Sequence, residues 1–236
     1  MRRSNLIVAE ILEEIKQVAK PGVTTQKLNE FAETLLAERK ARSAFKGYMG
    51  YPSALCTSIN EEVVHGIPSG RVLREGDILS LDFGAIYEDY YGDAAVTLAI
   101  GRISPEAERL LRVAEEALYL AIDQTREGNR LSDISAAIQR HVESNGFSVV
   151  RDFVGHGIGQ HLHEKPQVPN FGVPGRGIRL KTGMTLAIEP MINAGGFEVK
   201  ILEDGWTAVT KDRSLSAHFE HSVAVTENGP AVLSKL

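Results

Sequence analysis

Only one of the 236 residues is a cysteine, Cys56. An intrachain disulfide is therefore excluded, and the usage fits a reducing compartment. Long apolar runs are also missing: no stretch approaches the roughly 18 residues of a membrane span. The N-terminus, MRRSNLIVAEILEEIK, begins basic and then apolar, but Glu10, Glu13 and Glu14 interrupt it. It reads as an amphipathic helix and not as a signal peptide. A surplus of positive charge is lacking too, with 26 Lys and Arg against 31 Asp and Glu and a net charge of −5. That disfavours a general nucleic-acid-binding role. Low-complexity segments and linkers are absent. These absences predict a cytoplasmic protein without a membrane partner, built as a single domain over 1–236.

What is present is a globular composition, 43% hydrophobic and 24% charged, long enough to bury a sizeable core. Ile7, Val8, Ile11, Leu12, Ile15 and Val18 follow helical spacing, and Pro21-Gly22 stops that helix. Thr24 or Thr25 can cap a second helix with Leu28, Phe31, Ala32, Leu35 and Leu36 on its apolar face. Residues 44–68, rich in Gly, Tyr and Pro, read as loop with short strands. Strands are expected over Ile78–Phe83 and Ala94–Ile100. Ser104-Pro105-Glu106 starts a third helix that runs to about Thr125, and Ile134, Ile138 and Val142 mark a fourth, ended by Asn145-Gly146. From Val149 onward the chain reads as strand and turn.

Two helices then strands, followed by two helices then strands, suggests a duplication. Leu73-Arg-Glu-Gly-Asp-Ile-Leu-Ser-Leu-Asp82 aligns with Leu180-Lys-Thr-Gly-Met-Thr-Leu-Ala-Ile-Glu189 at a constant offset of 107. Basic residues, turn glycines, alternating aliphatics and a final carboxylate all match. Shorter matches pair His65-Gly66-Ile67 with His156-Gly157-Ile158, Asp93-Ala-Ala-Val96 with Glu220-His-Ser-Val223, and Gly22 with Gly128. The expected fold is α+β, with two similar halves, roughly 1–100 and 101–236, and a curved antiparallel sheet covered on one face by four helices.

The stretch Val149–Pro169 places His156, His161 and His163 among Gly155, Gly157 and Gly159. Imidazole is the commonest protein metal ligand, and glycine lets backbone come close. Asp82, Asp93, Glu189 and Glu220 each adjoin apolar strand-like runs. A single such acid is ordinarily a strand-end group facing water. Four at repeat-equivalent places would share one cleft, where they would raise one another's pKa unless divalent cations neutralised them. Hard oxygen ligands with one imidazole suit Mn²⁺, Fe²⁺, Co²⁺ or Zn²⁺, and the charge count favours two ions per chain.

The set Asp82, Asp93, His156, Glu189 and Glu220 resembles, in order and spacing, the five metal ligands of the methionine aminopeptidases. The flanking segments SINEEVVHGIP, LDFGAIYEDYYGDAAVT, FVGHGIGQHLHEKPQVP, IEPM and DGWTAVTKDRSLSAHFEHSVAVTENG match as well. The resemblance covers essentially the whole chain and is to the bacterial type I enzymes without an N-terminal extension. It implies the pita-bread fold, with its internal two-fold repeat. It implies hydrolysis of N-terminal methionine from nascent polypeptides with a small second residue, by a hydroxide bridging two ions. By that resemblance Asp93 and Glu220 bridge the ions, His156 and Glu189 complete one shell, and Asp82 chelates the other ion. Glu189 is also the proton acceptor. His163 stabilises the oxyanion, and His65 contacts the backbone of the second residue. Tyr51, Cys56, His65 and Trp206 line the methionine pocket. His161 receives no role. A monomer with transient ribosome association is expected.

Three positions depart from the family's pattern. Leu162 stands where Phe is usual, His218 where Gln is usual, and Val64 where Cys is frequent. Leu162 is expected to alter the pocket wall. His218 introduces a titratable side chain and a further candidate ligand, and Val64 removes a target for thiol reagents. One alternative is a proline-specific aminopeptidase or prolidase, which shares the five ligands but carries an extra N-terminal domain. The other is a non-catalytic pita-bread module that binds peptides or ribosomes.

Overall fold

The computed structural model describes all residues, 1–236. Its four α-helices are α1 (Arg2–Val18), α2 (Thr25–Glu38), α3 (Pro105–Gln124) and α4 (Leu131–Ser144). Local side-chain chemistry sets the starts of α2, α3 and α4. Thr24 Oγ1 accepts from the Lys27 N–H at 3.3 Å, and Ser104 Oγ accepts from the Ala107 N–H at 3.1 Å. Asp133 accepts from the Arg130 N–H at 2.7 Å, closing the start of α4. These contacts satisfy amide groups that helix starts leave without partners.

The helices lie on one face of a nine-stranded antiparallel sheet, as expected. Its centre is the Ile78–Tyr87/Tyr90–Ala99 hairpin joined edge to edge with the Glu220–Thr226 and Thr185–Ile188 strands. The Leu55–Ile59 strand borders the first pair and Gly155–Gly157 the second. Two helix-side cores result. Ile7, Ile11 and Leu28 meet Leu79, Leu81 and Phe83 under α1 and α2. Leu110, Ala114 and Ile138 meet Leu186, Ile188 and Val223 under α3 and α4. Each half of the chain thus buries its own sheet pair beneath its own helix pair, and the halves meet where Ala95 pairs with Glu220 and Ala94 with His221.

Two expectations change. The first strand runs on past Phe83 to Tyr87 and the second begins at Tyr90 and not at Ala94, because the hairpin turns on Glu88 and Asp89, which adopt φ of 47° and 62°. That left-handed turn carries no glycine to announce it. The short match of His65 with His156 also fails in register. Applying the constant offset of the repeat, His156, opposite Ala187, corresponds to Ser58, opposite Ser80. His65 sits outside the paired strands, at φ 62°. Gly66 beside it packs against backbone so closely that a Cβ would lie 2.2 Å from the Thr57 carbonyl oxygen.

Candidate active site

Strand alternation sends successive side chains to opposite faces of a sheet. Leu79, Leu81 and Phe83 enter the helix-side core, so Ser80 and Asp82 face the other way. Ala94 belongs to that core, leaving Asp93 and Ala95 on the far side. Val223 and Val225 point to the helices, which puts Glu220 and Ser222 opposite them. Leu186 and Ile188 do the same for Ala187 and for Glu189, just past its strand. Four carboxylates therefore share one face. Cys56, Asp82, Ala95 and Glu220 are consecutive cross-strand partners. One step along, Asp93 is tied to Ser222, whose strand neighbour is Ala187, itself paired with His156. The alanines at positions 95 and 187 leave the space between the acids open.

Ligating atoms of Asp93, His156 and Glu220 all lie within 4.8 Å of one another. His156 Nε2 is 3.5 Å from Glu189 Oε1 and 4.0 Å from Asp93 Oδ2. Its Nδ1 lies 2.9 Å from the carbonyl oxygen of Gly157. A carbonyl only accepts, so the proton of this ring is on Nδ1 and Nε2 presents a lone pair to the acids. Burial, with His163 nearby, lowers the pKa of His156 to about 4, so these contacts are not ion pairs at neutral pH. The flanking glycines serve close packing: a Cβ on Gly157 would lie 2.3 Å from the carbonyl oxygen of Lys165.

Electrostatics point the same way. Burial raises the pKa of Asp82 to about 7. Burial and then neighbouring carboxylates push Asp93, Glu189 and Glu220 well above the usual range. Asp82 Oδ1, Asp93 Oδ1 and Glu220 Oε1 are buried without a hydrogen-bond partner. Orphaned carboxylate oxygens beside a bare imidazole nitrogen are costly unless a cation completes them. The donor set fits hard or borderline divalent ions.

A cavity of about 180 Å³ opens over this row, lined by all ten residues singled out from the sequence: Tyr51, Cys56, His65, Asp82, Asp93, His156, His163, Glu189, Trp206 and Glu220. Phe45, Tyr48, Met49 and Leu162 complete it. The first three escaped sequence reasoning. Their signal was the Gly47/Gly50 punctuation of an aromatic segment, which by itself reads as a turn. Tyr51 donates to the Gly66 carbonyl at 3.0 Å and meets Trp206 edge-on, with ring centroids 5.2 Å apart. Asp204 accepts from the backbone N–H groups of Trp206 and Thr207, both at 2.8 Å, and so fixes the turn that presents the indole. Burial drives the Cys56 thiol pKa well up, so it is a wall group and not a nucleophile. His161, which is exposed, and Val64, which is buried, both lie outside the cavity. His218, 1% exposed, lies behind Glu189, with Nε2 3.8 Å from Oε2 and neither ring nitrogen partnered.

Comparison with known proteins agrees with this geometry. Residues 1–227 match metallopeptidase family M24. A methionine aminopeptidase of Clostridium acetobutylicum is 54% identical, over 99% of this chain and 94% of its own. The crystal structure of a methionine aminopeptidase from Thermotoga maritima superposes with a TM-score of 0.99 at 49% identity, covering 100% of this chain and 95% of the other. An Xaa-Pro dipeptidase from Bacillus anthracis shares the fold, with a TM-score of 0.78 at 22% identity, but only 59% of that chain is covered.

Proposed function

Because the chain belongs to metallopeptidase family M24, we propose that it removes the N-terminal methionine from nascent polypeptides and peptides whose second residue is small. It is a metal-dependent aminopeptidase, and its relatives of about half-identical sequence along the whole chain bear that activity in their names. Residues 1–236 act as one catalytic unit of two halves. The observation that carries the reading is the row of four acids and His156 on one sheet face, beneath an apolar-walled cavity of about 180 Å³.

In this reading Asp82, Asp93, His156, Glu189 and Glu220 hold two divalent ions, drawn from Mn²⁺, Fe²⁺, Co²⁺ or Zn²⁺. Such ions supply an acidified water and polarise the scissile carbonyl. Phe45, Tyr51, Leu162 and Trp206 surround the thioether side chain and exclude water from it. The substrate's free α-amine would also bind an ion held on this row, which would restrict cleavage to the first peptide bond. Glu189 takes the proton of the attacking water and returns it to the departing amine as the carbon–nitrogen bond breaks. His163 donates to the oxygen that gains charge, and His65 orients the backbone of the second residue. The enzyme works in the cytoplasm as a monomer, on chains emerging from the ribosome, and no helix is long and apolar enough to cross a membrane. Kinetics on Met-Gly, Met-Leu and Gly-Pro peptides, across added metals and a chelator, test the reading. Fast chelator-sensitive Met-Gly cleavage is expected. Cleavage of Gly-Pro peptides without Met-Gly would overturn it.

A further inference from the structure

No local sequence signal marks Tyr48, yet it lines the cavity and contacts His163. Its Oη lies 2.8 Å from His163 Nδ1, across 115 positions of chain, with ring centroids 5.3 Å apart. Its ring also forms part of the cavity wall, beside Met49 and Tyr51. The segment that presents it is a tight turn, in which Gly47, Met49 and Gly50 have φ of 87°, 50° and 93°. The Gly47 N–H donates to the Tyr51 carbonyl at 2.8 Å and the Tyr48 N–H to the Phe45 carbonyl at 2.9 Å. Tyr51 is anchored at the far end by its bond to Gly66. The turn therefore holds one tyrosine in the wall and extends the other toward a histidine of the opposite half.

The direction of this hydrogen bond follows from acid–base chemistry. An imidazole with its ordinary pKa near 6.5 is mostly neutral at pH 7 and then carries one proton. A phenol is the better donor of the pair and an imidazole nitrogen the better acceptor. Tyr48 O–H thus donates to Nδ1, which leaves the ring proton on Nε2.

We propose that Tyr48 is a positioning residue that sets the proton arrangement of His163 from the cavity wall. Its hydroxyl holds His163 in the Nε2–H tautomer, the form able to donate to a substrate carbonyl oxygen. The proposal rests on the reading of His163 as the carbonyl donor.

The experiment compares Tyr48→Phe, His163→Ala and the double variant on the metal-loaded enzyme with a Met-Gly-initiated peptide. Tyr48→Phe keeps the ring and the wall and loses the hydroxyl. It is expected to lower kcat by about 10-fold, the lower end of what mispositioned acid–base groups cost, with KM within about two-fold. In the His163→Ala background the same change is expected to do nothing more, since its effect is routed through the histidine. Histidine ¹⁵N spectra of the zinc-loaded protein give a second readout. They are expected to show His163 protonated on Nε2 in the parent enzyme and a mixture of tautomers in Tyr48→Phe. A Tyr48→Phe enzyme with parental kcat and tautomer, beside a slow His163→Ala, would overturn the proposal alone. Full activity of His163→Ala would overturn the donor role of His163 and the proposal with it.

Discussion

His156 Nδ1 lies 2.9 Å from the carbonyl oxygen of Gly157, and this bond decides what the other side of the ring can do. With the proton spent on a carbonyl one residue away, Nε2 is bare and aimed at Glu189 and Asp93. Burial keeps the ring neutral by lowering its pKa to about 4. Gly157 is the residue whose lack of a side chain allows the strand to lie against the Lys165 carbonyl.

Removing His156, or Asp93 which its bare nitrogen faces, is expected to remove metal without unfolding the chain. Asp93→Ala and His156→Ala each delete one group from the trio that converges within 4.8 Å. Metal affinity is expected to fall by more than the 10–100-fold typical of residues that only support a ligand. Elemental analysis after gel filtration and circular dichroism check the two halves of this expectation. Full metal content or full activity in either variant would refute the ligand assignment.

The pH dependence of the metal-free protein has a defined sign. Asp82, Asp93, Glu189 and Glu220 have folded pKa values raised by burial, Asp82 to about 7. The folded state then holds more protons than the unfolded state, so stability falls as pH rises through this window. His65, His156 and His218 act oppositely. Burial lowers them to about 4, 4 and 3, so they add stability as pH rises toward their unfolded value near 6.5. Between the unfolded histidine value and the raised value of Asp82 the carboxylate effect dominates. The metal-free protein is expected to lose melting temperature as pH rises from about 6.5 through 7, while the loaded protein, whose carboxylates are already ionised, changes less. Metal binding is expected to release protons, seen as a calorimetric enthalpy that varies with buffer ionisation.

The constancy of the 107-residue offset made Asp82 and Glu189 readable as a pair, because both follow the same run of inward-facing aliphatics. Helix starts were equally legible, since Thr24 and Ser104 cap by purely local chemistry. Registers were not. Whether His65 or Ser58 mirrors His156 depends on pairing between strands far apart in sequence, which no local pattern encodes. Tyr48 was missed for the same reason: its partner is 115 residues away. The Glu88-Asp89 turn escaped because acidic residues in left-handed conformation look like an ordinary charged loop.

The Trp206 wall is expected to depend on Asp204, which is itself outside the cavity. Asp204 accepts from the Trp206 and Thr207 amides at 2.8 Å and from the Thr207 hydroxyl at 2.6 Å. In Asp204→Ala the turn loses all three, and the indole loses its fixed presentation. KM for Met-Gly peptides is expected to rise several-fold, with kcat little changed, because the acids and His163 are on other segments. A lowered kcat with unchanged KM would show that Trp206 serves the chemistry and not the wall.

His218 supplies the sharpest test of how the proposed metal ligands are supported. Both of its ring nitrogens are buried and unpartnered, and Nε2 is 3.8 Å from Glu189 Oε2. Its backbone is fixed on both sides by Thr97, whose hydroxyl accepts from the His218 N–H at 2.9 Å and donates to its carbonyl at 2.8 Å. The ring therefore has little freedom to seek partners elsewhere. Burial keeps it neutral, with a pKa of about 3, so one nitrogen carries a proton that nothing yet accepts. Glu189 Oε2 is the nearby acceptor, and a shift of under one ångström brings the pair to hydrogen-bond distance. In that arrangement Oε2 is held by His218 while Oε1 stays on the His156 side. His218→Leu is expected to weaken metal binding by about 10–100-fold, the range for residues that orient a ligand. His218→Gln, which restores an N–H donor, is expected to recover most of it. Calorimetric metal titrations measure both, with thermal melts of the metal-free variants as the control for folding. Equal losses in the two variants would mean that the imidazole nitrogen itself binds the ion, and would sink the orienting role.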